Sequence, residues 1–151
     1  ADNDHLKLYA CTSFLCFIQQ DKTMQTMYMS DTLLNYEHTD WLRAIDFYKD
    51  DLSLLQKRLA EVAFKNNRES VQAGVEHFQN QFIIQKNNLD ELQHYVNEHI
   101  VHVQDKYSEP HPAPGNDLLA EHEKRKSEFI SLEKTMTNLR HEFNIFLAKW
   151  M

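Results

Sequence analysis

Apolar residues recur along most of the chain in steps of four and three, a spacing that keeps them on one face of a helix. They form three stripes, within residues 34–62, 71–103 and 118–150. Polar and charged residues occupy most of the positions between them. Each stripe therefore predicts one long amphipathic helix that buries one face and exposes the other.

Breaks in this pattern separate the helices. Asn66 and Asn67 follow the first stripe, and Asn67 is a suitable N-cap for the helix after it. All three prolines and the second glycine fall within residues 106–117, a composition typical of a loop. The predicted helices span about residues 31–65, 68–105 and 117–150.

Three helices joined in this order predict an all-α fold, an antiparallel up-down-up three-helix coiled-coil bundle. Aligning the stripes stacks large apolar side chains in successive layers through most of the bundle. One central layer brings Tyr48 beside Gln85, where the hydroxyl and the amide are expected to hydrogen-bond each other.

Residues 1–28 precede the regular pattern of the bundle, which occupies residues 29–151. Two interpretations remain open for them: a non-native extension, or a short additional N-terminal helix. The apolar stretch 6–18 is shorter than the roughly 20 residues that span a bilayer, and the acidic residues before it fit poorly with a secretory signal. Cys11 and Cys16 have neither redox-pair nor zinc-site spacing. We expect a cytoplasmic protein without membrane insertion.

The charge pattern and the missing motifs argue against two classes of function. The formal net charge is −7, and no basic stripe is present that could neutralise a phosphate backbone, so no nucleic-acid binding is expected. The sequence contains no glycine-rich phosphate loop, nucleophile elbow or recognised pairing of a nucleophile with histidine. We therefore expect no enzyme activity.

The stripes carry histidines where they approach the proline-rich loop. The alignment places His38 beside Arg125 in one layer, and His99 beside His122 in the next. Three imidazoles from three helices suit zinc, with iron as the other metal considered. The permanent charge of Arg125 opposes a cation there. The competing interpretation is a hydrated polar layer where the bundle frays into solvent.

Several carboxylates lie close enough in sequence to hydrogen-bond the histidine ligands or to serve as an extra ligand. They are Glu37, Glu98 and Glu121.

His94, Glu98 and His102 form a surface line along the second helix. The pairs Glu91–His94 and His94–Glu98 each match a fragment of the ligand patterns of diiron bundles. Such centres need matching ligands that project inward from other helices. The stripe directs His94 away from the core, and the chain contains no second Glu-x-x-His. The line is therefore interpreted as helical neighbours on an exposed face.

Some large apolar residues lie off the stripes and would be exposed on an isolated bundle. They are Phe47, Leu54, Ile83, Ile84 and Ile145. Their cover is expected to be a second copy of the chain, another protein, or residues 6–18 folded back as a fourth helix. The predicted function is a non-catalytic protein-interaction or scaffold bundle without a cofactor, and the alternative is a metal-binding bundle.

Three segments carry a resemblance: Trp41–Leu52, Glu76–Leu92 and the closing Phe143–Met151. Over about residues 39–151 the chain resembles a family of small uncharacterised bacterial helical proteins, which implies a helical fold and no particular activity. A fainter similarity to a spectrin-type repeat rests on Trp41 and on a tryptophan in the third helix. Here that tryptophan, Trp150, stands at the very end of the chain.

Overall fold

A computed structural model describes the backbone of residues 4–66, 68–108 and 116–151, and the side chains from residue 33 onward within these ranges, except Asn116. These described residues form three α-helices and no strand, which confirms the all-α prediction. The helices are α1 (Asp4–Lys65), α2 (Glu69–Tyr107) and α3 (Asn116–Trp150).

The first helix is much longer than the sequence pattern predicted. It begins at Asp4 rather than near residue 31 and continues to Lys65. Residues 1–65 contain neither glycine nor proline, so nothing in this stretch breaks a helix. The expectations for the side chains of residues 6–18, including Cys11 and Cys16, lie outside the described residues. No helix in the described part of the chain carries a segment long and apolar enough to cross a membrane.

The chain divides into two compact units, Ala1–Glu37 and His38–Met151. The first unit is the N-terminal part of α1. The second contains the rest of α1 together with α2 and α3, and everything described below belongs to it.

Contacts along the second unit give the directions of the helices. His38 of α1 lies beside His99 of α2, and Lys49 lies 2.5 Å from Asp90, so residue numbers rise along α1 as they fall along α2. These two helices are therefore antiparallel.

The third helix runs in the same direction as the first. His38 lies beside His122, and an Arg140 nitrogen lies 2.6 Å from an Asp51 oxygen. Because numbers rise together along α1 and α3, α2 runs opposite to both. The predicted up-down-up order is confirmed.

The core follows the predicted stripes. Its buried members come from all three helices and pack as one cluster. They are Trp41, Ile45, Leu52, Leu55, Leu59, Phe78, Phe82, Leu89, Leu92, Val96, Leu132, Met136, Leu139 and Phe143. Burying a large apolar side chain contributes about 1.5–3 kcal/mol, which makes this cluster the main stabilising feature of the bundle.

The predicted polar pair in the central layer is wrong. The Tyr48 hydroxyl donates to Glu133 Oε1 at 3.2 Å, while Gln85 Oε1 accepts a hydrogen bond from Asn88 at 3.2 Å. Tyr48 finds its partner on α3 and the buried Gln85 finds one on its own helix, so neither depends on the other. Partial burial and the Glu133 carboxylate together raise the pKa of Tyr48.

The junction between α1 and α2 depends on Asn66. Its Nδ2 donates to the carbonyl oxygens of Val62 at 3.0 Å and Trp150 at 3.2 Å, which ties the ends of α1 and α3 together. The N-cap of α2 is Arg68 rather than the predicted Asn67, and Arg68 makes no side-chain capping bond.

Replacing Gly74 by alanine is expected to destabilise the bundle, although alanine favours a helix by about 1 kcal/mol over glycine. A Cβ at position 74 would overlap the edge of the Phe146 ring, and overpacking of this kind costs about 1–3 kcal/mol. Urea denaturation of G74A, F146L and the double variant measures the effect. In the F146L background, where the ring is absent, G74A should be neutral or stabilising. Additive effects of the two substitutions would contradict the clash.

Candidate metal centre

Three histidines, one from each helix, meet inside the bundle at the end where α2 finishes and α3 begins. His38 of α1 is 1% exposed, His99 of α2 is 0% exposed and His122 of α3 is 4% exposed. Each occupies a stripe position, so the helical periodicity that buries the apolar core buries these imidazoles as well. Buried polar groups need hydrogen-bond partners, so this cluster differs from the apolar remainder of the core.

The three rings are in direct contact. His38 Nε2 lies 3.2 Å from His122 Nδ1, within hydrogen-bond distance for one imidazole donating to another. The His99 ring centroid lies 5.0 Å from that of His38 and 5.4 Å from that of His122. One nitrogen from each ring can be chosen so that all three lie within 4.8 Å of one another. The structure thus brings together all three predicted ligands.

The surroundings of this histidine cluster differ from the sequence expectation. The sequence alignment separated His38 from the other two by one layer, whereas the structure joins all three. One helical turn further, Val103 and Leu118 are buried at 1% and 7% exposure. A hydrated, fraying end layer is therefore contradicted, because the imidazoles lie between apolar residues rather than in water.

Trp41 packs against the cluster from the side of the apolar core. Its ring stacks on His122 with centroids 4.9 Å apart and meets His38 edge-on at 5.5 Å. On the other side Trp41 stacks near Phe129. The sequence identified Trp41 as a core residue but held no signal that its indole would touch two of the candidate ligands.

Glu121 lies between a buried histidine and an exposed one. Its Oε2 is 3.4 Å from His99 Nδ1 and 3.5 Å from His102 Nδ1. The contact to His99 does not reach hydrogen-bond geometry, and neither ring nitrogen of His99 has a hydrogen-bond partner among the described residues. A carboxylate at this distance favours the proton on Nδ1, which leaves the lone pair on Nε2.

Protonation of this group of residues is governed by burial and by the carboxylate. Burial lowers the pKa of His99, and the Glu121 carboxylate offsets only part of that effect, while His122 and Arg125 lower it further. Partial burial alone would raise the pKa of Glu121, but the adjacent His102 and His99 outweigh it, so this pKa lies below the usual value. At neutral pH the arrangement is therefore a neutral His99 beside a carboxylate anion.

Arg125, the residue expected to repel a cation, has its charge engaged elsewhere. Its guanidinium lies 2.6 Å from Glu128 Oε2 and 4.6 Å from the centre of the Tyr95 ring. Glu128 compensates part of the charge of Arg125, and Glu121 adds a carboxylate near the three imidazoles. The local balance therefore favours a cation more than the sequence suggested.

The surface line of the diiron interpretation remains on the surface. His94 Nε2 lies 3.3 Å from Glu98 Oε1, and both side chains are more than half exposed. Glu91 accepts a hydrogen bond from Tyr95. These neighbours point outward along α2, as the stripe predicted, and do not join the histidine cluster.

All five apolar residues of the predicted interaction surface are exposed, by between 48% and 60% of their surface. They do not form one patch. Phe47 lies under the Arg140 guanidinium of α3, whereas Ile83 lines a groove between α1 and α2 together with Ala60 and Ala63. On α1, Phe47 and the groove residues face roughly opposite directions. The five residues therefore cover at least two sides of the bundle.

No protein-family model, characterised protein or solved structure matches this chain. The resemblances to small bacterial helical proteins and to spectrin-type repeats therefore stay predictions.

Acidification should destabilise the metal-free bundle through His99. Its folded-state pKa is lowered, and an unfolded histidine has a pKa of about 6.5, so the unfolded chain binds this proton first as the pH falls. Stability should be greatest above pH 6.5 and decline from there until the pH reaches the lower, folded-state pKa. Urea denaturation between pH 8 and 5.5 with a chelator present measures this slope.

The variant His99→Leu should have a smaller slope over that pH range. Substitution of the exposed His77, as in His77→Gln, serves as the matched control and should leave the slope unchanged. An H99L slope equal to that of the wild type would show that His99 does not carry the pH dependence.

Proposed function

We propose that this chain is a metal-binding helical bundle that holds one divalent transition metal ion between His38, His99 and His122. The observation that supports this most directly is the convergence of three imidazoles, none more than 4% exposed, with ligand nitrogens within 4.8 Å of one another. Without an ion, both nitrogens of His99 are buried without a hydrogen bond among the described residues. A bound cation would satisfy one of them.

The spacing suits a tetrahedral ion after a small adjustment. Zinc–nitrogen bonds of about 2.0–2.1 Å at tetrahedral angles separate ligand nitrogens by roughly 3.3 Å. The nitrogens of His38 and His122 already lie 3.2 Å apart. His99 would have to approach by about 1–1.5 Å, within reach of a change in its side-chain torsions. Three ligands leave the fourth position to water or another small molecule.

The donor set favours zinc over iron, calcium and magnesium. Neutral imidazole nitrogens suit zinc, copper and nickel, whereas calcium and magnesium prefer oxygen. Mononuclear iron sites commonly combine two histidines with a coordinating carboxylate. Glu121 contacts the rings of His99 and His102 at Nδ1, which suits support of a ligand better than direct coordination.

An ion in this position would cross-link all three helices. Its binding energy would then add to the stability of the folded bundle, because the unfolded chain does not hold the three imidazoles together. Metal binding is therefore expected to stabilise the end of the bundle where the stripes carry histidines instead of apolar residues.

Purified without a histidine tag, the protein should bind Zn²⁺ in a one-to-one ratio, measured by calorimetry and elemental analysis. At a free Zn²⁺ concentration 100 times the Kd, the bundle should gain about 2.7 kcal/mol of stability, visible as a rise in Tm. The variant His122→Phe removes a ligand while preserving an aromatic ring against Trp41, so it should fold and show no such gain.

The matched control is His94→Gln, which removes an exposed histidine that lies beside Glu98 on the surface. It should keep the full response to Zn²⁺. The proposal fails if the wild-type chain shows no zinc, iron, copper or nickel binding and no thermal shift, or if H122F responds like the wild type.

A second candidate is the protein-interaction or scaffold function, with a second copy of this chain as the partner. It is favoured by Phe47 and Leu54, which lie seven residues apart on one face of α1 and are 56% and 54% exposed. Two large apolar side chains on one exposed helix face suit a symmetric helix-to-helix contact. The cytoplasmic location predicted from the sequence belongs with either candidate and stays a prediction.

If this second function operates, the wild-type chain should form dimers in light scattering as its concentration is raised. The double variant Phe47→Glu and Leu54→Glu should remain monomeric with unchanged helicity by circular dichroism. Ile130→Glu on α3, at a position 55% exposed in the wild type, is the control and should leave the dimer intact. A wild-type chain that stays monomeric throughout, or equal behaviour of the two variants, would remove the support for this candidate.

A further inference from the structure

The candidate centre is shielded from water by the helices that build it. Its three imidazoles are 1%, 0% and 4% exposed, and Trp41 stacks against one side of the cluster. An ion held there needs some group that can hold it while it leaves water. The inference below rests on the metal-binding function proposed above.

A line of ligand-type groups connects this buried centre with solvent. His102 is 63% exposed, Glu121 is 31% exposed and His99 is 0% exposed. The same Glu121 oxygen lies 3.5 Å from His102 Nδ1 and 3.4 Å from His99 Nδ1. Imidazole nitrogen and carboxylate oxygen are both good ligands for zinc-like ions.

From this geometry we propose that His102 and Glu121 form the access route by which a divalent transition metal ion enters and leaves the buried histidine centre. An ion captured by His102 and Glu121 at the surface sits beside His99. Glu121 can hold the ion while His102 leaves and the His99 ring turns to offer its Nε2 lone pair, so the ion is never left without protein or water ligands. No covalent bond of the protein forms or breaks in this transfer.

Electrostatics supports the capture step. The partly exposed Glu121 carboxylate lies 3.5 Å from His102 and 3.4 Å from the buried His99. An anion at the edge of a site raises the local concentration of cations and the rate at which they arrive. A second pair of an exposed histidine with a glutamate, His94 with Glu98 on α2, makes a similar 3.3 Å contact. This pair is not part of the histidine cluster.

The two residues should affect binding in different ways. His102 would touch the ion only during transfer, so its loss should slow association and dissociation equally and leave the Kd unchanged. Glu121 also orients His99, and loss of such a supporting carboxylate typically weakens metal affinity about 10–100-fold. Glu121→Gln should therefore raise the Kd, and His102→Ala should not.

Trp41 provides a probe of the buried centre itself. Its ring lies 4.9 Å from the His122 ring, close enough for bound Co²⁺ to quench its fluorescence. The chain contains two tryptophans, so Trp150→Phe isolates the Trp41 signal. Stopped-flow mixing with Co²⁺ gives the association rate, and excess chelator gives the dissociation rate, in full-length W150F protein and in W150F carrying H102A, E121Q or H94A.

The access route predicts that H102A lowers both the association rate and the dissociation rate by roughly three-fold or more and leaves the Kd unchanged. Such a result means that only the barrier to transfer has risen. The control H94A should match its parent. Unchanged rates in H102A would overturn the access route. A raised Kd with an unchanged association rate would also overturn it, because His102 would then be a ligand in the final site. Failure of W150F to bind Co²⁺ or Zn²⁺ at all would instead overturn the metal-binding function, and the access route with it.

Discussion

The bundle depends on one constraint: each helix carries an apolar stripe that it cannot cover alone. The three stripes meet in a core that includes fully buried Phe82, Leu89 and Phe143, and burial on this scale supplies most of the free energy that opposes chain entropy. Exposed contacts such as Lys49 with Asp90 add little stability of their own. The packing of the apolar stripes brings these charged residues close together.

The same constraint produces the histidine cluster. A stripe position is buried whichever residue occupies it, so His38, His99 and His122 are buried by the helices on either side of them. Imidazoles in such positions cost stability unless their nitrogens find partners. His38 lies within hydrogen-bond distance of His122, and the Glu121 carboxylate lies near His99. Both ring nitrogens of His99 are buried without a hydrogen-bond partner among the described residues, and the proposed metal ion would bind one of them.

Much of the architecture was predictable because it depends on local periodicity. Steps of four and three identified the buried faces of all three helices, and the proline-rich segment identified a break between α2 and α3. The start of α1 was not predictable from the stripe, since a helix without glycine or proline can continue where its apolar pattern stops. The pairing of Tyr48 with Gln85 was wrong because each side chain has another polar partner within reach, Glu133 for Tyr48 and Asn88 for Gln85, and the alignment of layers does not include those residues.

The sequence by itself determined that this chain forms long helices, which residues those helices bury, and that three buried positions are histidines. Those properties follow from spacing along one helix, where 3.6 residues per turn set the direction of every side chain. Only the tertiary structure decided that the three imidazoles share one layer, that Trp41 stacks on His122, and that Glu121 lies between His99 and His102. Such contacts depend on how far one helix is shifted along another, and a connection as long as residues 106–117 leaves that shift open to about a turn of helix.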